Sequence, residues 1–303
     1  MRVLVTGGSG FVGKRLKLVR PDWIYASSSN VDLKDYTSTM KYISRVKPDA
    51  VIHLAGRVGG IKDNNDHPAE FFYNNIMMNT NVVECCYRSG IKRLLASIST
   101  CAFPDVTRFY PFKEETLLEG PPSLTNLSYG FSKRALAIQL QAYREQYGLD
   151  YSCFCPSNLY GPGDHFDDNN SHFVAAALSK FHKATPGKEV EFWGTGRPLR
   201  QQLYVDDLCK AIPELLAHHH SSSPIIVAPD SNLSIEFMVR VCRDIVGKDV
   251  GYRFNDKLEG QYRKDGSNAR FKQMFPSFNF TSFEEGIKKT YEWYSAQSNY
   301  NRN

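Results

Sequence analysis

Tyr129 and Lys133 stand four residues apart in the stretch YGFSK. On a helix that spacing is just over one turn, so both side chains share a face. An ammonium beside a phenol favours the phenolate, and the pair could pass the proton that accompanies hydride transfer. Upstream, ASISTCAFP closes an apolar run with Ser99, Thr100 and Cys101. A thiolate whose pKa is lowered by nearby positive charge is a competent base for a proton on carbon. The residues alone leave open a plainer reading of Cys101, a small buried hydrophobe.

Such groups need a scaffold and a redox partner, and TGGSGFVG at residues 6–13 supplies the signal for both. It follows a strand-like RVLVT and opens a helix. Gly7, Gly10 and Gly13 then permit a tight turn, close approach of the backbone to a pyrophosphate and close helix packing, with the helix N-terminus facing the anion. The end of the second strand, YASSSNVDL, offers Ser27, Ser28 and Ser29 and no acid before Asp32. A carboxylate there would repel a 2′-phosphate, so its absence favours NADP(H) over NAD(H).

Strand-like and helix-like segments alternate through the first half, as in WIYASS, TSTMKYISRV, DAVIHLAG, KRLLASIS and YSCFCPSN. This predicts an α/β fold, a doubly wound parallel sheet with helices on both faces. Long helices are expected from about Glu70 to Arg88 and from about Tyr129 to Tyr147. Their apolar residues, among them Phe72, Ile76, Val83, Leu136, Ile138 and Leu140, exceed what one sheet face needs and suggest a homodimer through the helices near 70–88 and 129–147. After Asn158 the texture changes to polar loops, a helix and the strand EVEFWG. We expect a discontinuous nucleotide-binding domain, 1–156 plus 203–228, and a smaller α/β substrate domain, 157–202 plus 229–303.

With 303 residues, 42% of them hydrophobic and 13% aromatic, the chain can bury two such cores. The formal net charge of +5 is spread among interspersed acids and bases, with no Lys/Arg block that would track nucleic acid. It suits a small anionic ligand. No apolar run approaches the roughly 18 residues of a membrane span, and a strand starting at Arg2 leaves no room for a leader. Seven cysteines without paired spacing predict reduced thiols in a cytoplasm and no metal site.

TGGSGFVG, VDLKD, VIHLAG, SIST, YGFSK, PSNLYGPGD and LYVDDL together cover most of the chain. In these segments the sequence resembles the extended short-chain dehydrogenase/reductases, whose members act on nucleotide sugars. The resemblance implies a Rossmann domain in which Ser99 bonds the substrate oxygen, Tyr129 donates the proton and Lys133 holds the nicotinamide ribose. It also implies cofactor contacts from Ser9, Phe11 and Val12 beside the loop glycines, from Ser28, Asp32 and Leu33 near the adenine end, and from Leu54, Ala55, Ser97, Pro156, Asn158, Leu159 and His172.

ISTCAFPD, the NSH triplet, EFWGTGRPLRQQLYVDDL and EGQYRK narrow the likeness to the family's epimerase-reductases. Those enzymes epimerise C3 and C5 of GDP-4-keto-6-deoxy-D-mannose and reduce C4 with NADPH, giving GDP-L-fucose. Epimerisation needs a base and an acid on two sides of the ring. The likeness makes Cys101 the base and His172 the acid. His172 follows the capping residues Asn170 and Ser171, so it is expected in a first helical turn, where the dipole lowers an imidazole pKa. For the substrate it implies Asn158, Lys180, Trp193, Arg200, Glu259 and Lys264, with Glu259 standing where relatives carry aspartate. A dehydratase of the same fold would place an acid where Cys101 stands, and a simple 4-epimerase or 4-reductase needs neither Cys101 nor His172. A redox-sensing NADP-binding protein would lack the Tyr and Lys pair.

Overall fold

The computed structural model describes residues 1–167, 171–255 and 261–300. Its first half alternates β1 (Val3–Thr6), α1 (Phe11–Val19), β2 (Ile24–Ala26), α2 (Tyr36–Val46), β3 (Ala50–His53), α3 (Ile61–Asp66), α4 (Pro68–Arg88), β4 (Arg93–Ser97), α5 (Leu127–Tyr147) and β5 (Asp150–Pro156). It continues through β6 (Asn158–Tyr160), α6 (Phe173–Lys183), β7 (Glu189–Phe192), β8 (Leu199–Arg200), β9 (Gln202–Tyr204), α7 (Val205–His218) and β10 (Ile225–Val227). The remainder is β11 (Leu233–Ser234), α8 (Ile235–Val246), β12 (Gly251–Phe254), β13 (Arg263–Lys264), α9 (Ala269–Met274) and α10 (Phe283–Tyr300).

Six strands form one parallel sheet in the order β10-β5-β4-β3-β1-β2. Order reverses across β1 and β3, the switch point where open α/β sheets bind ligands beyond the carboxyl ends of their strands. Strands VLVT and AVIH are buried along their whole length because both faces are covered. Side chains alternate between the faces. Leu4, Val51 and Leu94 pack with Val82, Leu136 and Leu140 on one side, and Val5, Ile52 and Leu95 with Leu16, Leu208 and Ile212 on the other.

A third cluster, with Val174, Leu178, Phe181, Met238, Cys242 and Ile287, lies between α6, α8 and α10. It forms the second, smaller layer. Phe271 of α9 packs instead with Leu208 and Ile225 of the sheet layer, so this part of the 229–303 segment sits with the first core. The acidic pair in LYVDDL ties α7 to α1 and to the segment that precedes α10. Asp206 takes a two-pronged ion pair from Arg15 of α1, at 2.8 and 2.7 Å. Buried Asp207 accepts from the backbone N–H and hydroxyl of Thr281, at 2.6 and 3.0 Å.

On α4 and α5, Val83, Leu136 and Leu140 are buried in the chain's own core, whereas Phe72, Tyr73, Phe131 and Ile138 are exposed. Among the described residues no helix is long and apolar enough to cross a membrane. All seven cysteines are unpaired, and all but Cys101 are buried.

Candidate active site

The carboxyl ends of β1, β3, β4 and β5 open into a cleft of about 930 Å³, walled on its far side by residues of the second layer. Gly7, Gly10, Phe11, Val12 and Gly13 line it, as do Leu54, Ser97, Lys133, Pro156, Asn158, Leu159 and His172. Gly10 caps α1 with no side-chain hydrogen bond, and the first turn carries no acid. Its orphan N–H groups therefore offer an anion site. A Cβ on Gly13 would lie 2.3 Å from Gly7 O, so only glycine lets α1 start this close to the β1 turn. The cradle fits a dinucleotide pyrophosphate.

Ser9, Ser28, Asp32, Leu33 and Ala55 are not among the cleft-lining residues. Ser28 lies in the exposed turn after β2, where the Ser27 hydroxyl pairs with Ser29 at 2.7 Å, and Asp32 accepts from Lys34 N–H at 3.0 Å. The turn holds hydroxyls and no carboxylate close behind the strand, the pattern that accommodates a 2′-phosphate.

Ser99 caps a single 3-10 turn, Thr100–Ala102, accepting from Cys101 N–H at 3.2 Å. This turn presents the thiol to the cleft beside Ser99 and Tyr129. Helix α5 presses against it. A Cβ on Gly130 would lie 2.4 Å from Cys101 O, which explains the glycine in YGFSK. Buried Arg134 then donates twice to Ala102 O and once to Gly120 O, pinning the turn from α5.

Tyr129 and Lys133 share one face of α5 as their spacing predicts, but the electrostatics differ from expectation. The Lys133 ammonium lies 5.9 Å from the Tyr129 ring centre and donates to Ser97 O at 3.1 Å. Burial pushes the Tyr129 phenol up, Cys101 adds to this, and the Ser99 hydroxyl only partly opposes it. Desolvation dominates, so the phenol holds its proton more tightly than a free tyrosine. Burial likewise lowers Lys133 to about 8. Beneath it, buried His53 gives Nε2–H to Asn79 Oδ1 at 3.0 Å and accepts from Thr6 at 2.7 Å, and burial drops its pKa to about 4. The histidine in VIHLAG is thus a neutral structural link.

Cys101 shifts the other way. Burial raises its thiol, but the Lys264 ammonium, the Ser99 hydroxyl and Arg200 together outweigh burial and hold it below its ordinary value. Lys264 Nζ stands 3.0 Å from Sγ.

His172 is the N-cap of α6 rather than a residue of its first turn. Its Nδ1 lies 2.9 Å from Asp164 Oδ1, on a carboxylate that is almost fully buried. This hydrogen bond raises the imidazole pKa against burial, reversing the lowering expected from the helix dipole. Ser171 donates to Asp167 O, and Asn170 lies outside the described residues.

Of the residues expected at the substrate end, Asn158, Trp193, Arg200 and Lys264 line the cleft. Trp193 is 61% exposed, leaving its face free for a planar ring to pack on. Lys180 is not in the lining; its ammonium donates to Glu191 O at 2.9 Å. Glu259 lies outside the described residues. The sequence reading missed Asp164, Asn126, Arg134 and Asn75, the last holding the 57 loop through Arg57 N–H and O.

Residues 3–228 match the model of the NAD dependent epimerase/dehydratase family. The GDP-L-fucose synthase of Dictyostelium discoideum is 36% identical over 96% of this chain and 94% of its own. That of Escherichia coli is 30% identical over 97% and 96%. A crystal structure of a GDP-L-fucose synthetase from Naegleria fowleri, bound to NADP, superposes with a TM-score of 0.91 at 33% identity, over 98% of this chain and 93% of that one.

Proposed function

Because the chain belongs to the NAD dependent epimerase/dehydratase family and matches GDP-L-fucose synthases along nearly its whole length, we propose that it is a bifunctional 3,5-epimerase and NADPH-dependent 4-reductase. It converts GDP-4-keto-6-deoxy-D-mannose to GDP-L-fucose. The observation that carries this reading is a cysteine held below its ordinary pKa and a tyrosine held above it, facing one cleft beside the glycine loop. A plain reductase uses only the second.

When bound, NADPH supplies the hydride that reduces C4. The α1 N-terminus and loop glycines would hold its pyrophosphate, and Lys133 its ribose. Ser99 and Tyr129 hydrogen-bond the C4 carbonyl oxygen, which makes the neighbouring C–H bonds more acidic. Cys101 removes the proton from C3 or C5, and His172, protonated through Asp164, returns one on the opposite face. Tyr129 then delivers its proton to the C4 oxygen. Arg200 pairs with the diphosphate and Trp193 packs against the ligand, with Asn158 and Lys264 facing the same space.

The single assay that tests this reading is product analysis. NADPH should be consumed one for one with GDP-4-keto-6-deoxy-D-mannose, and GDP-L-fucose should appear. Retained manno configuration would make the protein a 4-reductase only.

Asp164 gives a pH prediction. A raised His172 pKa keeps the imidazolium, the form that donates, populated to higher pH. Asp164→Asn removes the largest cause of that shift, so the alkaline limb of the epimerisation profile should move to lower pH. An unmoved limb would mean that His172 is not the acid.

The exposed Phe72, Tyr73, Phe131 and Ile138 on adjoining helices support a homodimer through α4 and α5. Sedimentation should return twice the chain mass. Unpaired cysteines and a dependence on NADPH suit a reducing cytoplasm.

A further inference from the structure

Cys101 is tied to three different parts of the molecule, and the Lys264 and Asn126 side chains both donate to its sulfur. Lys264 Nζ of β13 is 3.0 Å from Sγ, and Asn126 Nδ2, one helical turn before Tyr129, is 3.2 Å away. Ser99 accepts from the cysteine's own N–H at 3.2 Å, and its hydroxyl also helps to lower the thiol. We propose that Lys264 and Asn126 are positioning residues that hold Cys101 as a resting thiolate, so that the substrate-side layer completes the base carried by the sheet layer. The proposal rests on the reading of Cys101 as the epimerase base, and it gives Lys264 a task other than the nucleotide contact expected from sequence.

Lys264 is held in place. β13 pairs in parallel with β8, setting Lys264 opposite Arg200. The next residues are tied down on the other side. Gly266 N–H donates to Gln201 Oε1 at 2.9 Å, Gln201 Nε2 to Gly266 O at 3.1 Å, and Phe112 N–H to Asp265 O at 2.9 Å. A lysine on a fixed strand delivers its charge to one point, whereas a surface lysine spends its flexibility elsewhere.

The groups facing the thiol are Lys264 from β13, Arg200 from β8, Tyr129 from α5, Cys155 from β5 and the Ser99 hydroxyl. The phenol and the second thiol are both driven by burial toward their neutral forms. A single negative charge on Cys101 satisfies the Lys264 and Asn126 donors that meet at its sulfur.

The test is alkylation of Cys101 by iodoacetamide in the intact protein without sugar nucleotide, followed from about pH 5 to about pH 10 by peptide mass spectrometry. The six other cysteines are buried and provide an internal slow background. Wild type should react at pH 7 as a thiolate. Lys264→Met should lower that rate at least about 10-fold and move the titration upward, Lys264→Arg should restore most of it, and Asn126→Ala should move it the same way by less. NADPH binding, read by fluorescence, reports whether each variant is folded. If Lys264→Met fails that control, Lys264→Arg and Asn126→Ala carry the comparison. Titration of the folded variants indistinguishable from wild type would overturn the proposal. No substrate enters the experiment, so its failure is separate from a failure to make GDP-L-fucose.

Discussion

Cys101→Ser should lose roughly 10³-fold in epimerisation while binding NADPH as tightly as wild type. A serine hydroxyl has nearly the shape of the thiol and can still accept from Asn126 and Lys264, so the turn at Thr100–Ala102 should persist. What it lacks is acidity. The donors that bring a thiol below its ordinary pKa cannot bring an alcohol into the neutral range, and the proton on carbon has no acceptor. Solvent deuterium exchange at C3 and C5, followed by NMR, measures the loss. Exchange at the wild-type rate in Cys101→Ser would assign the base to another group.

Tyr129→Phe should separate the steps in the opposite sense. Burial holds the phenol proton firmly, which suits an acid that must release it only to a developing alkoxide. Removing it should slow NADPH oxidation by about 10² to 10⁴-fold. Deuterium exchange should fall by less, because Cys101 remains and Ser99 still hydrogen-bonds the C4 oxygen. Equal losses in both assays would show that Tyr129 serves the enolate as much as the alcohol.

The sheet and its cofactor loop were legible because local pattern dictates them. TGGSGFVG must follow a strand and open a helix, and the buried runs VLVT and AVIH cannot sit at a solvent face. Tyr129, Lys133, Ser99 and Cys101 were legible as types at fixed spacing on two neighbouring elements. Their electrostatics were not, since a pKa depends on burial and on partners distant in sequence. Lys264 reaches Cys101 across 163 positions. Tyr129 and His172 both shift opposite to the sequence expectation, the first through desolvation and the second through Asp164, eight residues upstream. GPGD held the one available clue, an acid preceding the NSH triplet. The placing of α9 with the sheet core was equally hidden, because Phe271 finds Leu208 and Ile225 only once α7 and β10 have returned to the first layer.

The central claim is that one cleft both inverts carbon centres and reduces a ketone. It is tested most directly by running the reaction to completion with GDP-4-keto-6-deoxy-D-mannose and NADPH in deuterated water and examining the product by NMR. The account predicts GDP-L-fucose carrying solvent deuterium at C3 and C5. A product of unchanged manno configuration with hydrogen at both positions, formed as NADPH is consumed, would contradict it and leave a 4-reductase in which Cys101 and His172 serve some other purpose.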